Sequence, residues 1–594
     1  MRCTLFALAA SALLAAPALA QLDLGGRHLF SIEGEVFLGR FGWDVAAGDV
    51  DGDGYTDLIA GAPSEPVPGT PGGRVRIYSG RDGLLLRELS PMGAQGDFGE
   101  AVAALGDLNG DGAIEVGVGA PEAQAGGEYP GRVHVYDGAT GALLAALAGG
   151  EWFDAFGQSL TNLGDVDLDG VEDFAVGAPR PQTQGPFLPG PGSVRVYSGA
   201  TLSPFGTLFG TNDYDRFGEA VGAAGDVNQD GHPDLVVGAP GFDSGGFNGN
   251  GRVVVVSGEW IASSAAGFTP LSPQVLAGVD GDFDGGALGF AVAGVGDTNG
   301  DGFPDVLAGG PNSNLNGALR GVADLISGEW ITATSLGLTP TTPKVLDRFA
   351  GEQERDLFGR SVSALGDVDG DGRPDFVIGA SESVSPGPGP GYATIYSGAT
   401  SDDIATYRGG AGGDRVGWAL DGGAADFDGD GVLDLALGAD IGSGAINGVG
   451  TAHMLSGREL LLSADAHLLS SSAGGTQTFL LDATNTSAGD AYLLLGSLSG
   501  TDPGTPLPLG AGTLPLNVDG YFGLTLTLSM PLLGAPFGVL DQGGEALASF
   551  SIGAGSLPPA ATGLTVHHAY VALDLGAGGA ITTVSNAVPT TIVP

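Results

Sequence analysis

The chain has 594 residues, a formal net charge of −48 and a single cysteine. Such acidity argues against nucleic acid or an anionic membrane as a partner, since both are bound through basic surfaces. Gly (111) and Pro (36) approach the share seen in disordered chains, but 42% of the residues are hydrophobic, unlike a disordered acidic tail. The glycines and prolines therefore serve many tight turns, and an all-β protein is expected.

At the N-terminus, Arg2, the apolar run Thr4 to Pro17 and the small-residue end Ala18-Leu19-Ala20 read as a secretory signal over residues 1–20, cleaved after Ala20. The run is shorter than the ~20 residues needed to span a bilayer, and no later run is long enough. A secreted or cell-surface protein with no transmembrane segment after signal cleavage is expected. Cys3 lies inside the signal, so the mature chain needs a source of stability other than disulfides.

Residues 29–34, Leu-Phe-Ser-Ile-Glu-Gly, form a lone β-like run ahead of a set of repeats. A nine-residue acidic pattern then recurs seven times, starting at Asp49, Asp107, Asp165, Asp226, Asp297, Asp367 and Asp426, at spacings of 58 to 71 residues. A Phe-Gly-like pair precedes each copy: Phe41-Gly42, Phe98-Gly99, Phe156-Gly157, Phe217-Gly218, Leu288-Gly289, Phe358-Gly359 and Val416-Gly417. A Gly-Ala-Pro-like triplet follows each, from Gly61-Ala62-Pro63 to the drifted Gly438-Ala439-Asp440. Each unit holds four short Val/Ile/Leu-rich runs, in the first Trp43–Gly48, Asp57–Ala62, Arg74–Tyr78 and Leu84–Leu89. Four-stranded units repeated radially are propeller blades, so residues 21–462 are expected to form a seven-bladed β-propeller. The run at 29–34 should complete the seventh blade beside residues 451–456 and remove an open edge. Trp43 and Trp418 hold equivalent positions in units one and seven and should be neighbours across that closure.

Within each acidic pattern, oxygen-bearing side chains at positions 1, 3, 5 and 9 and a glycine at position 6 suit a hard cation, and calcium tolerates irregular shells of six to eight oxygens. The candidate ligands are Asp49, Asp51, Asp53 and Asp57; Asp107, Asn109, Asp111 and Glu115; Asp165, Asp167, Asp169 and Asp173; Asp226, Asn228, Asp230 and Asp234; Asp297, Asn299, Asp301 and Asp305; Asp367, Asp369, Asp371 and Asp375; Asp426, Asp428, Asp430 and Asp434. Position 7 adds a backbone carbonyl, from Tyr55, Ala113, Val171, His232, Phe303, Arg373 and Val432. These positions hold 25 carboxylates, which repel one another at close range without a cation. Up to seven structural Ca2+ ions are expected, with the Asn and Glu replacements tuning affinity.

Phe-Gly, an Asp-x-Asp-x-Asp-Gly-x-x-Asp loop and Gly-Ala-Pro within one unit resemble the FG-GAP repeat of integrin α-subunit N-terminal propellers, over about residues 22–462. The resemblance implies a propeller whose acidic loops bind calcium on one face and whose opposite loops contact protein ligands. This chain departs from it in keeping an acidic loop in all seven units, and in showing no inserted ligand-binding domain, stalk or transmembrane helix. The opposite loops should include residues 63–73, 121–131, 179–192, 240–251, 311–321, 381–391 and 440–450, where Tyr129, Phe187, Phe242 and Phe247 are candidate ligand anchors. Units four and five carry a duplicated insertion, Gly258-Glu-Trp-Ile261 and Gly328-Glu-Trp-Ile331, which yields no functional reading.

After Arg458 the chain has no Lys or Arg. Alternating segments at Thr476–Asp482, Tyr521–Leu528, Ala546–Ile552 and Thr565–Asp574 point to a small C-terminal β-sandwich-like domain over residues 463–594. Asn485-Thr486-Ser487 matches a glycosylation acceptor. There is no His-Glu-x-x-His or Gly-x-Ser-x-Gly motif, so an enzyme is not expected. The expectation is a monomeric adhesion or binding module for an extracellular protein or glycan; the alternatives are a secreted hydrolase or lectin-like enzyme using the propeller mouth, and a structural cell-surface protein.

Overall fold

The computed structural model describes residues 28–457 apart from short segments at 67–71, 92–95, 124–128, 151–152, 181–189, 245, 247, 267–273, 316–317, 382–388, 410–413, 424, 430 and 442–447. Beyond 457 it describes the strands between 462 and 593 together with residues 540 and 564. The expected export signal and the expected acceptor at Asn485 lie outside the described residues.

Seven four-stranded antiparallel sheets follow one another around an axis. In the first blade the strands run outward in sequence order: Val45–Gly48, Asp57–Ala62, Arg74–Tyr78 and Leu85–Leu89. The second strand of the blade has neighbours on both edges and both faces, which explains its unbroken apolar run; Leu58, Ile59 and Ala60 are wholly buried. The outermost strands meet solvent on one face, and Leu143–Ala148 accordingly alternates between half-buried and exposed. The apolar cores lie between blades. One cluster joins Ile59, Val75 and Ile77 of blade one to Phe98, Val116 and Val118 of blade two.

Closure repeats the same chemistry. Strand His28–Glu33 is the outermost strand of the seventh blade, antiparallel to Thr451–Leu455, with Ser31 opposite His453 and Glu33 opposite Thr451. Phe41 bridges Gly450 across the closure, as Phe156 bridges Gly131 and Phe217 bridges Gly192 elsewhere in the ring. The Trp43 and Trp418 rings lie 4.8 Å apart, as the repeat alignment expects.

The two repeat signatures are the two halves of this seam. The Phe-Gly aromatics are buried between blades, with Phe41, Phe98, Phe156 and Phe358 at most 1% exposed. The glycine that follows turns with φ between 77° and 90°, a left-handed conformation that favours glycine. Its amide donates to the glycine carbonyl of the Gly-Ala-Pro triplet in its own unit, for example Gly218 to Gly238 at 3.0 Å and Gly289 to Gly309 at 2.9 Å. The triplet glycine in turn packs against the Phe-Gly carbonyl of the next blade. A Cβ at Gly61, Gly119, Gly177, Gly238, Gly309, Gly379 or Gly438 would fall inside contact distance of that oxygen, the last pairing with Gly42 of blade one.

The duplicated insertions are helices, which the strand-rich setting concealed: α1, Gly258–Ala266, and α2, Gly328–Ser335. Ser327 caps α2, its hydroxyl accepting from the Trp330 amide at 3.1 Å. Ile261 and Ile331 are wholly buried. α1 packs on the outer strand Pro204–Phe209 of the preceding blade and α2 on Val275–Asp280, shielding two blade edges.

In the C-terminal part, one sheet contains Gly475–Asp482 and Glu545–Ile552, and a second contains Ala491–Ser497 and Thr565–Asp574. They share a core in which Ala548, Phe550 and Ile552 of the first sheet meet Tyr492, Leu494, Val566, Tyr570 and Ala572 of the second. Every second residue faces the other sheet, as in a β-sandwich. The expected run Tyr521–Leu528 lies outside the described residues.

Gly238→Ala drives a methyl group into the Gly289 carbonyl and is expected to cost about 2–3 kcal/mol, as overpacking does. Gly423→Ala, where a Cβ meets nothing within 4 Å, should be close to neutral; denaturant midpoints of the two variants check the seam.

Candidate functional site

Each acidic loop joins the first and second strands of its blade, so all seven lie at one end of the ring. Within a loop the first aspartate folds back on the chain. Asp49 accepts backbone N–H groups from Gly52 at 2.8 Å, Asp53 at 3.1 Å and Gly54 at 2.9 Å, and Asp53 accepts from Tyr55 at 3.0 Å. Asp367 does the same with Gly370, Asp371 and Gly372 at 2.7, 3.0 and 2.8 Å. Gly54 and Gly372 turn with φ of 88° and 89°, which accounts for glycine at position 6.

This folding brings carboxylates together. One oxygen from each of Asp49, Asp51 and Asp53 lies within 4.8 Å of the others; the same holds for Asp165, Asp167 and Asp173, for Asp367, Asp369 and Asp371, and for Asp426, Asp428 and Asp434. That span is two metal–oxygen bonds of about 2.4 Å, so a hard divalent cation would meet an all-oxygen donor set. These are the four loops with aspartate at position 3; Asn109, Asn228 and Asn299 occupy it in the other three. Asp430 lies outside the described residues. Partial burial and the neighbouring Asp53 carboxylate push Asp51 above its ordinary pKa, and burial and Asp169 do the same to Asp167.

The ninth-position acid is a structural element of the blade. Asp57, Glu115, Asp173, Asp234, Asp305, Asp375 and Asp434 are at most 1% exposed. One oxygen accepts the N–H of the loop's second residue, at 2.9 Å from Val50, 2.9 Å from Val166 and 2.8 Å from Val368. In six blades the other accepts the N–H of a glycine just past the third strand, from 3.2 Å at Gly80 to 2.8 Å at Gly457. The side chain thus ties the loop to the end of the neighbouring third strand of its own sheet. In the second unit the longer Glu115 meets the Asn109 side chain at 2.5 Å instead. Burial raises these groups, Asp173 to about 6, Asp234 to about 7 and Asp434 to about 8.

Neighbouring loops also clasp one another. The Ile114 amide donates to the Asp49 carbonyl at 3.0 Å, the His232 ring meets the Val166 carbonyl at 2.7 Å, and Arg373 reaches Asp297 at 3.7 Å. His232, inside its loop, is a link between blades.

At the other end of the inner strands, the residue after each Phe-Gly pair lines the channel mouth: Trp43, Glu100, Gln158, Glu219, Phe290, Arg360 and Trp418, all half-buried. Equivalence in the repeat could have located this ring, but its residue types share no chemistry. Just below it, Asp44 accepts the Val102 amide of the next blade at 2.8 Å and Asp421 accepts that of Ala47 at 2.8 Å. Of the candidate ligand anchors, Tyr129 is 38% exposed and stacks on Phe153 at 5.5 Å. Phe187 and Phe247 lie outside the described residues. Phe242 is corrected: it is 7% exposed, packed in the core between blades three and four and covered by the Arg252 guanidinium at 3.6 Å.

Burial raises the Asp44 carboxyl to about 7 and that of Asp421 to about 6. A carboxyl with a raised folded pKa binds its proton more tightly when folded, so its contribution to stability falls as pH rises from about 4 through 6–7. Asp44→Asn and Asp421→Asn are therefore expected to gain stability relative to wild type between pH 5 and pH 8. Melting curves across that range check the sign.

The FG-GAP repeat family matches the chain at residues 41–78, 217–256 and 358–396, which fall in units one, four and six. Integrin alpha-V of Gallus gallus is 36% identical over 165 residues, 25% of this chain and 16% of its own length. Integrin alpha-5 of Xenopus laevis is 33% identical over 217 residues, 34% of this chain and 20% of its own. Integrin alpha-IIb of Homo sapiens is 34% identical over 229 residues, 35% and 20% respectively. The chain spans a fifth or less of the length of these relatives. Among the described residues, no helix is long and apolar enough to cross a membrane. With three family matches, seven blades and seams built from the signature residues, the chain carries FG-GAP repeats in a seven-bladed propeller that resembles the N-terminal one of integrin alpha subunits.

Proposed function

We propose that the protein is an exported, calcium-stabilised propeller that binds an extracellular protein or glycan as an adhesion-type module, with residues 21–462 as the propeller domain and residues 463–594 as a separate β-domain. The observation that carries the calcium reading is the convergence of three carboxylate oxygens in each of four loops, on a backbone already turned to present them. Calcium fits better than magnesium because the shell is irregular and rich in carboxylate. Its charge offsets repulsion among side chains that the fold forces together.

The converging triads Asp49, Asp51 and Asp53, Asp165, Asp167 and Asp173, Asp367, Asp369 and Asp371, and Asp426, Asp428 and Asp434 hold the ions most tightly. The three loops with asparagine at position 3 bind more weakly, having lost one charge. At a Kd of about 10⁻⁴ M, millimolar calcium adds about 1.4 kcal/mol per loop. A few such loops supply stability on the scale of a whole domain, which suits a mature chain without cysteine.

The binding reading rests on the resemblance to integrin alpha propellers and on the face away from the acidic loops, where the second-to-third-strand connections surround the channel mouth. The stacked, partly exposed Tyr129 and Phe153 belong to that face.

Chelation should lower the melting temperature by several degrees and added calcium should restore it, with magnesium much less effective. Asp367→Asn combined with Asp369→Asn should shrink the calcium-induced gain, and Asn299→Asp should enlarge it. Melting that ignores chelator and calcium alike contradicts the reading. A protein and glycan array probed with the mature chain, with and without calcium, tests binding; an array blank under both conditions contradicts it.

A further inference from the structure

In a chain with 21 Lys and Arg against 69 Asp and Glu, four arginines gather at the channel mouth. Arg216 is paired with Glu219, and Arg415 with the buried Asp440 at 3.2 Å. Arg40 and Arg360 differ. Arg360 lies 4.1 Å from the Trp418 ring centroid and 4.7 Å from that of Phe290, and Arg40 lies 4.4 Å from that of Trp43. Among the described residues, no group accepts a hydrogen bond from either guanidinium. Two planar forks of donors are therefore held by aromatic faces with their hydrogen-bonding capacity unspent.

The mouth is polarised. Blades five, six, seven and one supply Phe290, Arg360, Trp418, Trp43 and Arg40, while blades two to four supply Glu100, Gln158 and the Glu219–Arg216 pair. Glu219 and Asp440 each pair with an arginine of their own, and the Arg360 charge is also faced by Asp440, Glu219 and Glu100, that of Arg40 by Asp440 and Glu100, none of them within hydrogen-bond reach of either guanidinium. Asp97 stands at the rim, and burial raises both it and Glu100, the latter to about 7. Arg360 is lowered by burial, to about 10, and remains cationic at neutral pH.

We propose that the channel mouth binds a carboxylate side chain projecting from a protein partner, held by the guanidinium forks of Arg360 and Arg40. A guanidinium fork matches a carboxylate in two parallel hydrogen bonds, and a site screened from water strengthens them. The partner is a protein rather than an acidic sugar because the tryptophan faces are already taken. Trp418 carries Arg360 and Arg415 and tilts against Trp43, whose ring carries Arg40, so the two tryptophans beside the guanidinium forks are engaged by cations and by each other rather than offered to a sugar ring. A single side chain on a flexible stem can reach a mouth ringed by loops. The inference deepens the binding reading above and rests on it for the partner's class.

The test uses the mature protein in saturating calcium, with tryptophan emission as the readout and three probes: N-acetyl-Gly-Glu-Gly-amide, its Gln counterpart, and tetragalacturonate. The glutamate peptide is expected to change the emission saturably and to bind at least tenfold more tightly than either other probe. Arg360→Gln and Arg40→Gln should each weaken it at least tenfold, while Arg408→Gln, on an outer strand, should not. Melting with and without calcium shows that each variant is folded, and Arg40→Gln decides the matter if Arg360→Gln is not. Equal binding of the Glu and Gln peptides, tighter binding of tetragalacturonate, or indifference to both mouth substitutions overturns the proposal. If the array finds a protein ligand whose binding Arg360→Gln leaves unchanged, the mouth assignment falls while the adhesion reading stands. A blank array removes the adhesion reading, and the peptide titration still decides the mouth.

Discussion

The structure depends on a buried carboxylate repeated seven times. The ninth residue of each acidic loop reaches into the blade and accepts N–H groups from the loop and, in six blades, from the end of the third strand. It fixes the loop on its sheet and thereby sets where the loop's other carboxylates point. It also places a charge where burial disfavours it, so the acids are raised to about 6 to 8. A divalent cation held in the loop would relieve that cost. Such an ion would be coupled to folding through this residue, because the same contacts that order the backbone create the demand for positive charge.

The blade seams are a second constraint, and they give the Phe-Gly and Gly-Ala-Pro signatures a physical meaning. An aromatic ring fills the gap between blades, a left-handed glycine turns the chain into the inner strand, and the triplet glycine leaves room for the next blade's carbonyl. Because blade seven meets blade one through the same contacts, the ring has no special joint. Only the outer edge of the seventh blade is made differently, by the N-terminal strand.

Much of this was legible in the sequence because repetition multiplies weak signals. One acidic turn says little, but seven at matched positions locate the loops, the four strands around each and the closing strand. The pairing of Trp43 with Trp418 followed from that alignment. Three features were not legible. The helices at Gly258 and Gly328 interrupt a strand-rich pattern, and their one clear mark is the serine ahead of each, which caps α2. Phe242 looked like an exposed anchor among polar loop residues, but Arg252 from the adjacent strand covers it. The channel ring stayed hidden because its seven positions hold Trp, Glu, Gln, Phe and Arg, and only three-dimensional convergence makes them one surface.

The role of calcium can be settled by anomalous diffraction from crystals of the mature protein grown in millimolar calcium. The account predicts anomalous peaks in the first, third, sixth and seventh loops, each about 2.3–2.6 Å from the converging aspartate oxygens, those of positions 1, 3 and 5 in the first and sixth loops and of positions 1, 3 and 9 in the third and seventh. Loops without peaks at that concentration, their aspartates bonded only to backbone amides, would contradict it.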